Sequence, residues 1–509
     1  MSSPSTAIQT LGLVGTGAMG RGIAQIAAQA GLTVKLYDAN PAAVDAALGA
    51  LRDTLDKLAT KGKVSPEQAK AALERLHPCT QLADLASCQL VIEAIVERLD
   101  VKRELFKQLE SIVAPDCILA SNTSSLSITA IAAACAKPER VAGYHFFNPV
   151  PLMKVVEVID GLRTGRAVGD ALMTLTRTLG HTPVRAKDMP GFIVNHAGRG
   201  MNTEGLRVAS EGIADFATVD RIMREQAGFR LGPFELLDLT ALDVSHPVME
   251  SIYHQFYEEA RFRPSPITAV RLAGGLVGRK AGEGFYRYVD GKQQVPAEAP
   301  APVTQPARVW VSRADTRAHE ATMQLLTKLG AIIDQGERPA DDALIIVTPL
   351  GQDATTCAVE QQLDAQRTVA LDTLFPLLDA KRRTLMTTPV TRPDVRDAAH
   401  ALLAKDGVPV SVIRDSAGFV VQRMVATIVN IGCDIAQQQI ASAQDIDRAV
   451  TLGLGYPRGP LTLGDALGAR EIVTILRNMQ SFYGDPRYRP SPWLTRRAQL
   501  GVSLLTEES

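Results

Sequence analysis

Residues 11–38 read LGLVGTGAMGRGIAQIAAQAGLTVKLYD, and this stretch decides the fold of the N-terminal part of the chain. A short apolar run, Leu11–Val14, predicts a β-strand. Apolar residues then recur at helical spacing up to Gly31, and a second apolar run ends at Asp38. Between the first strand and the helix stands a GxGxxG pattern formed by Gly15, Gly17 and Gly20. Strand, glycine turn, helix and strand in this order are typical of a dinucleotide-binding βαβ unit.

Each position of this motif has a physical role in holding a dinucleotide. The first glycine permits a tight turn, the second lets the backbone approach a pyrophosphate, and the third lets helix and strand pack closely. The loop residues Ala18 and Met19 lie at the predicted helix N-terminus, whose positive end stabilises an anion. Asp38 stands where a carboxylate accepts both ribose hydroxyls and repels a 2′-phosphate, which favours NAD over NADP.

Composition excludes several classes of protein. The 509 residues carry 54 Lys and Arg against 55 Asp and Glu, a net charge of −1, which argues against nucleic acid or a membrane surface as the main partner. Six scattered cysteines without CxxC or Cys/His ligand spacing predict buried thiols in a reducing compartment and no metal site. No apolar run approaches the roughly 20 residues of a membrane span. The first ten residues lack a signal-peptide pattern, so the cytoplasm is the expected location.

Strand-like runs followed by helix-like runs recur after this first unit, which predicts an α/β domain with a mostly parallel, doubly wound sheet. In such sheets ligands lie beyond the carboxyl ends of the strands. Polar residues follow three of the apolar runs: Glu97, Asn122–Ser125 and His145–Asn148. We therefore expect these three groups to surround one crevice beside the dinucleotide.

His145 begins a stretch, HFFNPVPLMKVVEVI (145–159), in which Glu157 is the single carboxylate. A carboxylate that binds one ring nitrogen fixes the imidazole tautomer and leaves the other nitrogen as a base. Ser124 offers a hydroxyl at a neighbouring strand end. These residues predict alcohol oxidation by hydride transfer, with the histidine taking the hydroxyl proton. The alternative interpretation is a core histidine with satisfied hydrogen bonds beside a surface glutamate.

Six motifs in a fixed order carry a resemblance to a known family. They are GLVGTGAMGRGIA (12–24), IEAIVERLDVK (92–102), SNTSSLSIT (121–129), HFFNPVPLMKVVEVI (145–159), PGFIVN (190–195) and GFRLGPFELLDLTALD (228–243). Residues 8 to about 288 thereby resemble the NAD-dependent L-3-hydroxyacyl-CoA dehydrogenases. The resemblance implies an N-terminal Rossmann-type domain followed by an all-α domain. It also implies oxidation of an L-3-hydroxyacyl-CoA to the 3-ketoacyl-CoA, in β-oxidation-type catabolism such as phenylacetate breakdown.

The resemblance also implies a role for each matching residue. His145 is the implied general base and Glu157 its orienting partner, while Ser124 and Asn195 are implied to hydrogen-bond the 3-oxygen and the substrate. Glu97, Lys102 and Asn148 are implied to contact NAD, together with the glycine loop and Asp38. Thr54 and Lys61 are implied to contact the CoA moiety. The alternative for Lys61 is an exposed lysine at a helix end, and for Glu97 and Lys102 a solvated ion pair.

The chain departs from the family pattern directly after Asn195. The family continues there with Arg and bulky apolar residues, whereas this chain reads HAGRGMNTEG (196–205). Glycine in a helix costs about 1 kcal/mol relative to alanine, so these glycines are expected to reshape the substrate pocket or the helix packing. The implied substrate is 3-hydroxyadipyl-CoA, with 3-hydroxybutyryl-CoA as the alternative. A distal carboxylate would need a cation, for which Arg199, Arg207 and Arg230 are the candidates.

The C-terminal half repeats part of the N-terminal half after a stretch rich in Pro, Ala and Gln (289–308), which predicts a linker. Matching positions stand 227 residues apart without a gap. The matched pairs are Asp188 and Asp415, Gly191 and Gly418, Phe192 and Phe419, Asp220 and Asp447, Arg221 and Arg448, Gly228 and Gly455, Gly232 and Gly459, and Pro233 and Pro460. This pattern predicts a duplicated helical domain.

The second copy lacks the residues that predict chemistry in the first. Gln422 replaces Asn195, the position of His145 falls near Leu371 or Asp372, and no glutamate stands where Glu157 would recur. The predicted domains are therefore 1–187 for NAD binding, 188–288 helical, 289–306 linker, 307–405 a degenerate Rossmann-like domain and 406–509 a second helical domain. We expect the second half to bind no NAD, and its helical domain to pack on the first as an internal pseudo-dimer, with a homo-oligomer also possible.

Two other functions are open to this sequence. A non-enzymatic NAD-binding protein is one, although His145, Glu157, Ser124 and Asn195 are all present. A different two-domain NAD-dependent dehydrogenase, acting on a small β-hydroxyacid or a sugar, is the other. Those enzymes rely on a lysine in the helical domain, and the helix after PGFIVN offers none.

Overall fold

A computed structural model describes residues 8–305 and 307–508. The N-terminal segment that bears on a leader peptide, residues 1–7, lies outside this described part. The chain divides into two compact units. The first comprises the residues up to His196 together with Gln438–Leu454, and the second comprises Ala197–Gln437 and the residues from Gly455 onward. A segment of the second helical repeat therefore belongs to the N-terminal unit.

The strands are β1 (Thr10–Val14), β2 (Thr33–Tyr37), β3 (Leu76–Pro78), β4 (Leu90–Glu93), β5 (Ile118–Ser121), β6 (Val141–Phe146), β7 (Val155–Asp160), β8 (Thr182–Lys187), β9 (Arg287–Val289), β10 (Lys292–Gln294), β11 (Arg308–Val311), β12 (Ile332–Ile333), β13 (Leu344–Val347), β14 (Thr368–Leu371), β15 (Arg383–Thr387) and β16 (Val410–Ile413). The helices are α1 (Ala18–Gln29), α2 (Pro41–Thr60), α3 (Pro66–Glu74), α4 (Leu99–Ile112), α5 (Ile128–Ala132), α6 (Arg166–Thr178), α7 (Val194–Ala197), α8 (Arg199–Ser210), α9 (Phe216–Arg221), α10 (Pro233–Thr240), α11 (Leu242–Gln255), α12 (Pro266–Ala273), α13 (Thr316–Lys328), α14 (Ala354–Glu360), α15 (Pro393–Leu403), α16 (Val421–Gln437), α17 (Ala443–Leu454), α18 (Pro460–Leu467), α19 (Ala469–Tyr483) and α20 (Pro492–Leu500).

The first unit is the α/β domain that the sequence predicts. Its sheet has the order β3-β2-β1-β4-β5-β6-β7-β8 and is parallel except where β7 pairs antiparallel with β6. The strands are buried on both faces, as a parallel sheet covered by helices requires. Helix α17 packs on β7 and β8, and the amide of Lys187 donates to the carbonyl of Ile440 at 2.8 Å. This bond satisfies part of the sheet edge at β8.

The second unit contains a smaller sheet of the order β12-β11-β13-β14-β15-β16, in which β14 and β15 are antiparallel. This is the degenerate Rossmann-like domain. Its last strand, β16, lies beyond residue 405, where the sequence analysis ends this domain. The first residues of the predicted linker, 289–306, are not irregular, because they form part of a hairpin of β9 and β10.

The helices of the second unit explain the glycines that depart from the family pattern. Gly200 lies on α8, and a Cβ there would stand 3.2 Å from the Cα of Ile428 on α16. A Cβ on Gly205 would stand 2.7 Å from the ring of Pro233. The glycines thus let α16 and α10 approach α8 closely, which repays their cost in helix propensity.

The duplication is visible in the backbone itself. Phe192 and its counterpart Phe419 both adopt a positive φ, 47° and 50°, a conformation that bulky residues rarely take. All six cysteines are buried thiols. Within residues 8–305 and 307–508, no helix has the length and apolar character needed to cross a membrane.

Candidate active site

The centre of the site is the pair His145 and Glu157. The antiparallel register of β6 and β7 sets the two residues directly opposite each other. Nδ1 of His145 and Oε2 of Glu157 are 2.6 Å apart, and both side chains are buried. The other carboxylate oxygen accepts the amides of Ile193 and Val194, each at 2.9 Å. Glu157 is therefore held at both oxygens, and it favours the imidazole tautomer that carries its proton on Nδ1.

Two aromatic rings hold the imidazole from its sides. The ring centroids of His145 and Phe147 are 4.3 Å apart, and those of His145 and Phe192 are 5.9 Å apart. With its rotation restricted and Nδ1 engaged, His145 presents Nε2 as the nitrogen for proton transfer. This arrangement contradicts the interpretation of Glu157 as a surface residue, since its side chain is completely buried.

Ser124 and Asn195 come together near this pair. The Nδ2 group of Asn195 donates to the main-chain oxygen of Ser124 at 3.4 Å. Asn195 directly follows Val194, whose amide holds Glu157, so the same short helix α7 positions both the carboxylate and the amide side chain. The hydroxyl and the amide offer the hydrogen-bonding groups that a substrate oxygen requires.

Lys102 is buried, whereas the side chain of Glu97 stays 38% exposed, so only the lysine of this pair is shielded from solvent. Nζ of Lys102 lies 2.5 Å from Oε1 of Glu93 and 3.2 Å from Oε2 of Glu97, and the lysine is almost fully buried. Glu97 also accepts the hydroxyls of Thr123 and Ser125. Burial opposes ionisation of Glu97, but Lys102 and these two hydroxyls hold the pKa of its carboxyl below the ordinary value. The network anchors the loop that carries Ser124.

The glycine loop fits a dinucleotide. Gly15 has φ of 98°, and a Cβ on Gly20 would stand 2.0 Å from the oxygen of Gly15. A Cβ on Gly17, by contrast, would meet open space, which leaves that face of the loop accessible to a pyrophosphate. Helix α1 begins at Ala18 and continues through Met19, so its N-terminus faces the same space. Asp38 accepts the amide of Thr16 at 2.8 Å and thereby ties the end of β2 to this loop.

Asn148 lies in the exposed turn after β6. Two residues later, Val150 packs on the helix of the glycine loop, where a Cβ on Gly22 would stand 2.7 Å from the Cβ of Val150. The turn that carries Asn148 therefore packs against α1, the helix that follows the glycine loop. Thr54 and Lys61 lie about two turns apart on one face of the α2 region, with Lys61 exposed at its end. At about 1.5 Å per residue they stand roughly 20 and 30 Å along the helix from the start of α2.

The three arginine candidates differ in their surroundings. Arg207 forms ion pairs with Glu211 and Asp485, both at 3.1 Å. Arg199 is buried, and burial lowers the pKa of its guanidinium to about 10. Arg230 is exposed.

The sequence analysis missed two residues that organise the site. Glu93 holds Lys102 and also accepts the hydroxyl of Ser121 at 2.6 Å. Asp188 accepts the amides of Ile128 and Thr129 at the start of α5, at 3.0 and 2.7 Å. A carboxylate at the end of an apolar strand was the signal for Glu93. The recurrence of Asp188 as Asp415 indicated the duplication, but it did not predict that Asp188 binds the start of α5.

The second repeat holds different groups at the matching positions. Asp372 stands where His145 would recur, and its amide donates to the oxygen of Thr384, which takes the place of Glu157. Gln422 and Gln226 donate to the two oxygens of Asp372, at 2.9 and 3.2 Å. Burial raises the pKa of Asp372, and these bonds oppose the shift. Both carboxylate oxygens of Asp372 thus accept hydrogen bonds from side chains of the protein itself.

Two family models match this chain. Residues 10–189 match the family model "3-hydroxyacyl-CoA dehydrogenase, NAD binding domain". Residues 191–288 and again 418–504 match "3-hydroxyacyl-CoA dehydrogenase, C-terminal domain", which confirms the duplication. The chain belongs to the 3-hydroxyacyl-CoA dehydrogenase family. It is an NAD-dependent oxidoreductase.

Three relatives differ in how much of the chain they match. The 3-hydroxyadipyl-CoA dehydrogenase of Escherichia coli is 38% identical over 97% of this chain and 98% of its own length. A crystal structure of a 3-hydroxybutyryl-CoA dehydrogenase from Escherichia coli K12 has a TM-score of 0.85 and 36% identity, covering 97% of this chain and 99% of that chain. A probable 3-hydroxybutyryl-CoA dehydrogenase of Deinococcus radiodurans is 43% identical but covers 54% of this chain and 99% of its own length.

Proposed function

We propose that this enzyme oxidises L-3-hydroxyadipyl-CoA to the 3-ketoacyl-CoA. The observation that carries the reaction is the buried pair of His145 and Glu157 beside a loop suited to NAD. The dicarboxylic substrate is supported by the relative that bears this name and matches both halves of the chain. The second candidate is 3-hydroxybutyryl-CoA, which is supported by the name of the solved structure that matches both halves.

In this proposal the polar residues divide the chemistry among them. His145 takes the proton of the 3-hydroxyl on Nε2, and Glu157 stabilises the imidazolium that forms. Ser124 and Asn195 hydrogen-bond the 3-oxygen and the substrate. NAD, when bound by the glycine loop, would supply the acceptor for the hydride of C3. The buried ring of Phe192 and the buried strands β6 and β7 limit the access of water to His145, which strengthens the attraction between Glu157 and the charged imidazole.

Cofactor and CoA contacts follow the same proposal. The glycine loop with Ala18 and Met19 binds the pyrophosphate, and Asp38 the ribose. The remaining assigned contacts are Glu97, Lys102 and Asn148 to NAD, and Thr54 and Lys61 to the CoA moiety. The buried thiols of all six cysteines support a reducing compartment, so we place this reaction in the cytoplasm.

The second half has a structural role in this proposal, in which the two helical repeats form an internal pseudo-dimer. Helix α8 of the first repeat and α16 of the second pack together. Across this contact Arg423 donates to Glu204 at 2.8 Å, and both side chains are completely buried. Tyr488 of the second repeat also donates to Glu204, at 2.8 Å. A buried charge satisfied from the other repeat supports a specific association of the two copies.

The experiment is to follow NADH formation with 3-hydroxyadipyl-CoA and 3-hydroxybutyryl-CoA side by side, in the wild-type enzyme and in His145→Gln. We expect 3-hydroxyadipyl-CoA to give the higher kcat/KM. The variant should lose at least about 10²-fold in kcat, because no base then takes the proton, while NAD still binds. A higher kcat/KM for 3-hydroxybutyryl-CoA would select the second candidate. If the wild-type enzyme binds NAD but oxidises neither compound, the proposed reaction is wrong.

A further inference from the structure

The second helical repeat reaches the active site of the first through α17. The contacts lie within the N-terminal unit, which contains Gln438–Leu454. A Cβ on Gly453 would stand 2.9 Å from both γ-methyl groups of Val194 and 3.5 Å from a γ-methyl group of Val155. Val194 is the residue whose amide donates to Glu157. Val194 is therefore the single residue between Gly453 and Glu157, the carboxylate that binds His145.

The internal repeat shows what a side chain does at this position. The residue 227 positions earlier is Gln226, whose side chain lies within the second unit against the second sheet. Its Nε2 donates to Asp372 at 3.2 Å, and its Oε1 accepts from Thr384 at 2.5 Å. Asp372 and Thr384 stand where His145 and Glu157 stand in the first sheet. A side chain at the repeat position of Gly453 thus binds the counterparts of the pair.

The strand contacts of the two segments also correspond. In the first unit the amide of Lys187 donates to the oxygen of Ile440 at 2.8 Å, and in the second unit the amide of Arg414 donates to the oxygen of Ile213 at 3.0 Å. Both pairs are related by the same spacing of 227 residues. The segment of each repeat therefore meets its sheet in the same register, and position 453 lies against Val194 and Val155 of the first unit where its counterpart, position 226, contacts Asp372 and Thr384.

We propose that Gly453 is a positioning residue of the dehydrogenase, contributed by the repeat that carries no catalytic pair. Because it lacks a side chain, α17 packs against Val194 without displacing the amides that hold Glu157. Valine is stiff at χ1, so a new methyl group would move the main chain of Val194 more readily than its side chain. The carboxylate would then shift, and with it the orientation of His145.

The test rests on the proposed oxidation and uses the full-length enzyme with Gly453→Ala. We expect kcat to fall by about 10- to 100-fold, since small displacements of catalytic groups cost factors of this size. The pH profile of kcat/KM should shift with the altered His145 environment, while KM for NAD stays the same. Gly464→Ala is the matched control, because its Cβ would stand 2.7 Å from Val429 and 2.5 Å from Leu504. This control should lower the Tm with kcat and the pH profile unchanged.

A second variant keeps the test decisive if Gly453→Ala folds poorly. Val194→Ala combined with Gly453→Ala removes both γ-methyl groups that the new Cβ would meet, and it keeps the amide that binds Glu157. We expect this double variant to recover most of kcat. A Gly453→Ala enzyme with wild-type kcat and pH profile, or a double variant that still lacks activity, would overturn the inference. Failure of the proposed function is distinct, because the wild-type enzyme itself would then oxidise neither acyl-CoA.

Discussion

At the scale of single residues, Glu157 holds the ring of His145 in place. Its two oxygens have different partners, the imidazole on one side and two main-chain amides on the other. The amides fix the carboxylate, and the carboxylate fixes the ring. Sequence reasoning found both residues, because a lone acid in an apolar strand needs a buried partner. It could not find the amides of Ile193 and Val194, since main-chain donors leave no trace in residue type.

Glu157→Gln tests whether the carboxylate sets the tautomer of His145. The amide NH₂ of glutamine would donate to Nδ1 and force the tautomer that carries its proton on Nε2, where the base must act. We expect kcat for 3-hydroxyacyl-CoA oxidation to fall by about 10²- to 10⁴-fold. NAD affinity, measured by fluorescence titration, should not change. A variant that retains wild-type kcat would show that Glu157 does not set the tautomer.

At the scale of elements, the packing of α8 on α16 depends on an asymmetric ion pair. Arg423 corresponds to His196 in the first repeat, and Glu204 corresponds to Ile431 in the second. In a symmetric contact the ion pair would occur twice. Here the pair of Arg423 and Glu204 is charged, whereas the equivalent positions hold His196 and Ile431. The family resemblance and the repeat predicted two helical domains, but they did not predict this contact, because its partners are 219 residues apart.

Arg423→Met should destabilise the protein by about 3 to 5 kcal/mol in urea unfolding, because it removes the nearer of the two cations beside buried Glu204, Arg423 at 2.8 Å and Arg487 at 3.6 Å. Replacing both residues, Glu204→Leu with Arg423→Met, should recover most of this loss. Lys70→Met, which breaks the exposed pair of Lys70 and Glu74, serves as the control and should have little effect. A deficit of the same size in the double variant would contradict the role of the pair.

The pH dependence of the Arg423→Met deficit provides a second measurement. Burial alone would raise the pKa of Glu204, but Arg423 and Arg487 hold it below the ordinary value in the folded protein. The stability from this group is therefore present above the ordinary carboxyl pKa and is lost as the pH falls through the lowered value. In the variant, protonation of Glu204 removes the negative charge that Arg423 no longer balances, so the deficit should shrink as the pH falls.

At the scale of the whole molecule, one chain contains both copies of a helical repeat and one catalytic pair. A chain truncated near residue 300 resembles in length the relatives that match only the first half. If two such chains paired through α8, each Glu204 would meet the His196 of the other copy in place of Arg423. We therefore expect the truncated chain to be less stable than the full-length protein and to aggregate, as judged by urea unfolding and light scattering.

His196→Arg in the truncated chain should restore a stable dimer, because it returns a guanidinium to the position of Arg423. His196→Gln is the matched control, which adds no charge and should restore nothing. A truncated chain that stays monomeric and as stable as the full-length protein would contradict the proposed pseudo-dimer.

The sequence by itself determined the dinucleotide fold and the duplication, and it predicted the polar residues of the site. These features follow from local rules: glycines at fixed turns, apolar periodicity and carboxylates at strand ends. Only the tertiary structure decided that Glu93 binds Lys102 and that Gln226 binds Asp372 and Thr384, the counterparts of His145 and Glu157. It also decided that Gly453 packs against Val194, whose amide binds Glu157. Such contacts join segments up to about 260 residues apart, and complementary surfaces select them only when the chain is folded.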